Sequence, residues 1–216
     1  MSKNKNQIMK NLFPLVIVSF LWNTAVAQQT CDCQKEFLFV KNYMETNYAG
    51  FSDKATTLNK KEYDIFTEKL LEQAKIAQSQ KYCYYTIQSW LDYFNDGHTR
   101  LVKNPRKSST DTIEKISLTP EIINELKNKP LDNIEGIYIS QFKNYKIALI
   151  RNETNFRDYV VFIIDAKSKS WEAGQVKIEL KHIVNDQYKC LYYLKDHQPS
   201  TIKYTIKDGK FNPKDF

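Results

Sequence analysis

The residues best suited to do chemistry form the tetrapeptide Asp96-Gly97-His98-Thr99, which follows a helical pattern without a gap. Imidazole titrates near neutral pH, so a histidine held at a fixed position is suited to act as a general base. Gly97 is predicted to supply the left-handed position at which the helix stops. His98 should then lie at a defined point just beyond a helix end. A structural histidine beside a helix cap is the alternative interpretation.

The element that positions His98 is an amphipathic helix predicted over residues 80–95. Its apolar side chains recur at helical spacing on one face: Cys83, Ile87, Trp90, Leu91 and Phe94. The same periodicity predicts helices over residues 34–47 and 62–77, and Asn59 is expected to cap the second of them. Apolar stripes of this kind are usually core contacts, so residues 28–102 are predicted to form a small helical bundle.

A change of composition follows the bundle. Residues 103–118 are rich in Lys, Ser, Thr and Asp, which is typical of a linker. A short helix is predicted over residues 120–128, because Thr119 suits the cap position, Pro120 suits the first helical position and Pro130 ends the pattern. Residues 103–133 are therefore predicted to be a linker with one short helix.

From residue 134 onward apolar residues alternate with polar ones, which predicts six or seven antiparallel strands over residues 134–216. Asn185-Asp186 and Asp208-Gly209 supply turn residues between apolar runs. One buried and one solvated face is the simplest account of the alternation, giving a curved sheet or small barrel. The predicted fold class is thus α+β, a helical bundle followed by an antiparallel β-rich domain.

Residues 1–27 have the pattern of a secretory signal peptide, with a basic start, an apolar run over residues 12–22 and cleavage predicted after Ala27. The protein is therefore predicted to be exported, either periplasmic or secreted. The apolar run is short and contains Pro14, so a retained transmembrane anchor is the weaker alternative. No stable membrane span is expected after signal removal.

The net charge gives little support to nucleic-acid binding. Without the three lysines of the signal, Lys3, Lys5 and Lys10, the formal charge falls from +7 to +4. The remaining lysines are dispersed, as on a solvated surface. The cluster Lys103, Arg106 and Lys107 is interpreted as part of the polar linker, with an acidic partner as the alternative.

Four cysteines in an exported protein favour disulfides, and four allow three complete pairings. Either Cys31 or Cys33 is predicted to join Cys83, with Cys33 preferred, while Cys190 stays unpaired in the β region. A metal site built from Cys31, Cys33 and His98 is disfavoured, because Cys-x-Cys is not the usual zinc spacing. Neither a metal nor another cofactor is predicted.

Two sequence blocks resemble the N-terminal helical region of exported serine peptidases of the C-terminal-processing and tricorn-like family. They are Asn47-Tyr48-Ala49-Gly50-Phe51 and, after the helix with Trp90-Leu91, the tetrapeptide Asp96-Gly97-His98-Thr99. The resemblance covers residues 31–102, and residues 134–212 are compatible with the β-rich segment of bacterial exported members. In the tricorn-like branch this histidine belongs to the catalytic constellation, so the resemblance implies a catalytic role for His98. In the processing branch a serine and a lysine act instead.

The family's nucleophilic serine lies in a later α/β core, beside glycine-rich backbone that forms an oxyanion hole. The glycines of this chain are isolated: Gly50, Gly97, Gly136, Gly174 and Gly209. An oxyanion hole needs close-packed backbone N–H donors, which such glycines do not indicate. Ser89 lies within a predicted helix and Ser108-Ser109 in a polar loop. The chain is therefore predicted not to hydrolyse peptides by itself, and its status as an enzyme is left open.

Three functional hypotheses follow. The first is a non-catalytic N-terminal portion of a tricorn-like or C-terminal-processing serine peptidase, acting on polypeptide substrates within the complete protein. The second is a stand-alone exported binding module, in which Tyr188, Tyr192, Tyr193 and Tyr204 line a cleft for a ligand or peptide rather than simply packing. The third is a non-catalytic relative that regulates a complete peptidase by docking on its core.

Overall fold

The computed structural model describes residues 31–56, 58–102, 112–130, 133–140 and 142–213, without the side chains of residues 212 and 213. The predicted signal peptide and its cleavage site lie outside the described residues. So do the basic cluster of the linker and the serine pair: Lys103, Arg106, Lys107, Ser108 and Ser109. Within the described residues, no helix combines the length and apolarity that crossing a membrane requires.

The helices of the described chain are α1 (Cys33–Asn47), α2 (Phe51–Lys54), α3 (Lys60–Ile76), α4 (Gln80–Leu91) and α5 (Pro120–Lys127). A single 3-10 turn, Asp92–Phe94, follows α4 directly. The three long N-terminal helices predicted from periodicity are confirmed, and so is the short later helix predicted from Thr119, Pro120 and Pro130. Thr119 caps α5 as predicted, because its hydroxyl accepts a hydrogen bond from the backbone N–H of Ile122.

Two predicted helix ends differ from the structure. Asn59 occupies the cap position of α3, but its side chain bonds to Thr56 and to the carbonyl of Lys54 rather than to the helix. Gly97 does not supply the left-handed residue after α4. Asn95 does, with a φ of 45°, because the 3-10 turn brings the chain to that conformation two residues earlier. Asparagine tolerates this region better than most residues.

Seven strands form one antiparallel sheet in which each strand pairs with the next along the chain. They are β1 (Gly136–Ile139), β2 (Tyr145–Arg151), β3 (Tyr159–Ala166), β4 (Val176–Val184), β5 (Gln187–Tyr193), β6 (Pro199–Lys207) and β7 (Lys210–Pro213). The sheet is nearly closed and barrel-shaped, which confirms the α+β class. Its two edge strands approach each other, since the rings of Tyr138 and Phe211 lie 4.8 Å apart.

The predicted turns are present. Asn185 between β4 and β5 has a φ of 50°, and Asp208 and Gly209 between β6 and β7 have φ values of 49° and 66°. Positive φ at both central residues is the two-residue hairpin geometry that Asp-Gly favours.

The expectation of one wet sheet face is wrong for the middle strands. One face gathers side chains from all seven strands into an enclosed cluster: Tyr138, Leu149, Val161, Leu180, Cys190, Ile206 and Phe211. The opposite face packs against the helices, with Val160 and Leu191 in the same core as Trp90. Phe162 packs with Leu126 of α5. The middle strands are therefore buried on both faces, because the helices cover the outer one.

The disulfide joins Cys33 to Cys83, with their Cα atoms 5.3 Å apart, which confirms the preferred pairing. It ties the start of α1 to α4. Cys190 forms no disulfide, as predicted, and it is buried. Trp90 of α4 is fully buried and donates its indole N–H to Thr67 of α3 at 3.1 Å, so the three long helices share one core.

Part of the predicted linker belongs to the sheet region. The N–H of Ile116 donates to the carbonyl of Gly174 at 2.8 Å, and the N–H of Val176 donates to the carbonyl of Glu114 at 2.9 Å. Gly174 has a φ of +84°, and a Cβ there would lie 2.6 Å from the Ile116 oxygen. The predicted domain boundaries stay predictions, and residues on both sides of them share one hydrophobic core.

Candidate active site

His98 lies in the turn that follows α4, and its side chain is 99% exposed. Its Nδ1 atom lies 2.9 Å from Oδ1 of Asp96. An ionised carboxylate only accepts hydrogen bonds, so the neutral imidazole carries its proton on Nδ1 in this pair. Nε2 keeps its lone pair, as a general base requires.

Asp96 is fixed by several donors. Its Oδ1 also accepts the backbone N–H of His98 at 2.9 Å, and its Oδ2 accepts the hydroxyl of Tyr48 at 2.8 Å. These bonds, in that order, and the His98 ring lower the pKa of Asp96 below its ordinary value. The hydroxyl of Thr99 closes the turn by donating to the Asp96 carbonyl at 2.9 Å. An ionised and anchored carboxylate therefore orients the imidazole.

The two blocks that carry the family resemblance meet at this point. Tyr48, in the loop after α1, packs its ring edge-on against Phe94 with centroids 5.4 Å apart, beside its bond to Asp96. Phe51 also contacts Phe94, at 6.1 Å. Gly50 leaves room for the side chain of Tyr48, because a Cβ at position 50 would lie 2.8 Å from the Tyr48 ring and hydroxyl. A larger residue at position 50 would displace the tyrosine that holds Asp96.

Gln88 of α4 fixes both ends of the segment that carries His98. This buried side chain donates to Oδ1 of Asp92 at 2.9 Å and accepts the backbone N–H of Leu101, also at 2.9 Å. The bonds bracket the turn between residues 92 and 101. The exposed histidine is thus carried on a segment anchored to the helical core.

The arrangement supplies an oriented base, and no hydroxyl or thiol of the described residues is hydrogen-bonded to its ring. The ring of His98 hydrogen-bonds to Asp96 alone within the described chain. Ser89 is buried and donates to the carbonyl of Tyr85 at 2.5 Å, and the pair at Ser108-Ser109 lies outside the described residues. A hydroxyl able to use His98 would therefore have to come from elsewhere.

The metal site considered from the sequence loses one ligand, because Cys33 is bonded to Cys83. In the part of the chain that the structure describes, no group of three His, Cys, Asp or Glu side chains is placed to hold a metal ion.

The four tyrosines of the binding-module hypothesis all take part in hydrophobic packing. Tyr188, Tyr192 and Tyr204 pack around the enclosed cluster of the sheet. Tyr193 is buried against the helices and donates its hydroxyl to Glu179 at 2.7 Å. Packing explains their positions.

The role of His98 could be suspected from residue type, but the roles of Tyr48 and Asp96 could not. The only signal for them was that both lie in the two blocks quoted for the resemblance. Their contact spans 48 residues of sequence and depends on how α1 and α4 pack. Comparison of the chain with protein-family models, curated proteins and solved structures found no match.

Proposed function

We propose that this chain is the histidine-bearing portion of a serine peptidase of the tricorn-like type and is inactive by itself. In this proposal His98 acts as the general base for a serine that lies outside the described residues, either further along a longer chain or on a partner. The observation that carries the proposal is the Asp96–His98 pair. Nδ1 of His98 lies 2.9 Å from Oδ1 of Asp96, which orients the imidazole, and the ring remains exposed.

The chemistry follows from the pair. Nε2 of His98 accepts the proton of the serine hydroxyl as the oxygen attacks a peptide carbonyl, and later returns it to the leaving amine. The ionised Asp96 stabilises the imidazolium that forms between these steps. Oxyanion donors come from the segment that brings the serine. The substrate is a polypeptide bound in an extended conformation.

Exposure separates this proposal from a structural role for His98. Within the described chain the ring of His98 bonds only to Asp96, two positions away, so it ties no distant segments together. Tyr48 and Asp96 already close this part of the fold without the imidazole. Replacing His98 is therefore expected to change thermal stability little.

The test compares source cells that carry the wild-type chain, His98→Ala or His182→Ala, each with an affinity tag. His182 is a matched control because it is also exposed and hydrogen-bonded, in this case to the carbonyl of Asn185. Purified material is assayed with an unfolded protein substrate and with a fluorophosphonate probe for reactive serines. His98→Ala should lower both signals at least about a hundredfold, the usual contribution of a general base, and His182→Ala should leave them unchanged.

Expression of residues 28–216 alone provides the second arm. This polypeptide should show neither hydrolysis nor probe labelling. Turnover by the isolated chain, or a serine hydrolase signal in the tagged material that is unaffected by His98→Ala, would contradict the proposal. Tagged material without any reactive serine would favour the binding-module hypothesis instead.

A further inference from the structure

We propose that the cleft between α3, α4 and strands β4 to β6 binds a small organic anion with a flat apolar body. The cleft has a volume of about 480 Å³. Ligand pockets in proteins commonly fall between about 300 and 1,000 Å³. Its lining includes none of His98, Asp96 and Tyr48, so the inference goes beyond the proposed peptidase role.

A row of three lysines forms the sheet side of the cleft. Lys181 on β4 lies directly opposite Lys189 on β5, which lies directly opposite Lys203 on β6. All three line the cleft. Like charges directly opposite each other on neighbouring strands destabilise a sheet, so such a row needs anions nearby.

The protein supplies two of these anions. Lys181 pairs with Asp158 at 2.6 Å, and Lys189 pairs with Asp92 at 2.6 Å. Lys189 is the deepest of the row, with a side chain that is 13% exposed. Burial lowers its pKa, and Asp92 opposes that effect.

The third lysine of the row has no such partner. Lys203 is exposed and forms no ion pair within the described residues. Lys69 of α3, on the helical side of the cleft, is also exposed and also forms no ion pair there. Two carboxylates line the cleft, Glu62 and Asp92, and the second is already paired with Lys189. Lys203 and Lys69 therefore offer charge to an anionic group that enters from solvent.

Aromatic rings form the apolar part of the lining. Phe66 and Tyr93 are stacked, with centroids 5.4 Å apart and planes inclined by 28°. The buried ring of Tyr85 lies 5.6 Å from Nζ of Lys189. These rings offer flat apolar surface next to cationic groups. This combination selects a carboxylate, phosphate or sulfonate carried on an aromatic or similarly flat body.

The probe for this inference is 8-anilinonaphthalene-1-sulfonate, which combines an anionic group with flat rings. We expect saturable binding to the folded protein with one site, followed by fluorescence and calorimetry. Lys203→Gln and Lys69→Gln should each weaken binding about tenfold, as expected for loss of one charged contact. Lys207→Gln is the matched control, since Lys207 is an exposed lysine on the same strand that does not line the cleft. It should leave affinity unchanged.

Two further measurements make the result decisive. Near-ultraviolet circular dichroism of each variant must match the wild type, which excludes probe binding to a loosened core. The uncharged analogue N-phenyl-1-naphthylamine should bind at least about tenfold more weakly than the sulfonate. The inference is overturned by absent or non-saturable binding, by equal affinity of the Lys203→Gln and Lys207→Gln variants, or by equal affinity for the two probes. None of these outcomes bears on His98.

Discussion

The sharpest prediction about the fold concerns Glu179, a buried carboxylate on β4 that joins the sheet to the start of α4. Its side chain is 2% exposed and accepts four donors. The hydroxyl of Tyr193 lies at 2.7 Å, that of Tyr82 at 2.9 Å, Nζ of Lys81 at 3.0 Å and Nη1 of Arg157 at 3.2 Å. Burial, and then the charge of Glu179, raise the pKa of both tyrosines, so their hydroxyls stay protonated and donate.

The cost of losing this carboxylate can be worked out donor by donor. Arg157 keeps its paired bonds to Glu114 at 2.7 and 2.8 Å, so it is not left alone. Glu179→Leu leaves the hydroxyls of Tyr82 and Tyr193 without their acceptor, at about 1–3 kcal/mol for each buried unsatisfied group. The two losses add up to an expected fall of about 2–6 kcal/mol in the free energy of unfolding. Glu179→Gln keeps an acceptor oxygen but loses the charge, so the free energy of unfolding is expected to fall by about 2 kcal/mol.

Urea denaturation followed by tryptophan fluorescence measures these differences, with the disulfide kept oxidised in every sample. Glu172→Gln is the control, because Glu172 forms an exposed ion pair with Lys115 and its side chain is 67% exposed. Exposed pairs contribute little, so a change below about 0.5 kcal/mol is expected. A Glu179→Leu variant within about 1 kcal/mol of the wild type would refute the reasoning. If the Glu179→Leu variant does not fold, the other two variants still test the reasoning, because Glu179→Gln should lose more free energy of unfolding than Glu172→Gln.

The remaining predictions concern the disulfide, one glycine and one carboxylate. Removing the cross-link by a Cys33→Ala, Cys83→Ala double substitution should lower the free energy of unfolding by about 4 kcal/mol, because the bond spans 50 residues, and reduction of the wild type should give a similar loss in urea denaturation. In the same assay, Gly174→Ala should lower the free energy of unfolding by about 1–3 kcal/mol, because the φ of Gly174 is +84° and a backbone oxygen would lie 2.6 Å from the new Cβ. Gly97→Ala is the control, because there is open space around Gly97, and it should change the free energy of unfolding by less than about 0.5 kcal/mol. Hydrogen bonds from the guanidinium of Arg157 lower the pKa of Glu114, although burial opposes this effect. The contribution of this pair to stability should therefore be present above the ordinary glutamate pKa of about 4.3 and be lost as the pH falls through the lowered pKa. Glu114→Gln should therefore differ from the wild type in urea midpoint at pH 7 and converge with it as the pH falls below the ordinary glutamate value of about 4.3, and a difference that persists unchanged in acid would contradict this assignment.

Local signals in the sequence were sufficient for most elements of the fold. Apolar spacing located α1, α3 and α4, and Thr119 with Pro120 located the start of α5. Asp208-Gly209 located the last hairpin. Each of these depends on residues within a few positions of one another, which is why a single sequence reveals them.

The features that were missed depend on packing between distant segments. A continuous apolar run from Val160 to Ile163 is compatible with burial on both faces, but the periodicity alone does not say that helices cover the second face. Asn95 rather than Gly97 is the left-handed residue because a 3-10 turn follows α4, and no local sequence pattern predicted that turn. The lysine row required the strand register, which shifts between His182 and Val184.

The proposed peptidase role and the proposed anion site use different chemistry but are connected through one short segment. Asp92 pairs with Lys189 in the cleft and is also held by Gln88, which fixes the turn that leads to Asp96 and His98. A variant that removed Asp92 would therefore disturb both sites and could not separate them. The substitution at Lys203 changes the residue opposite Lys189 on β6 but leaves Asp92 and its two partners, Lys189 and Gln88, in place. For this reason, loss of anion binding in that variant with unchanged His98-dependent hydrolysis would show two independent sites on one fold.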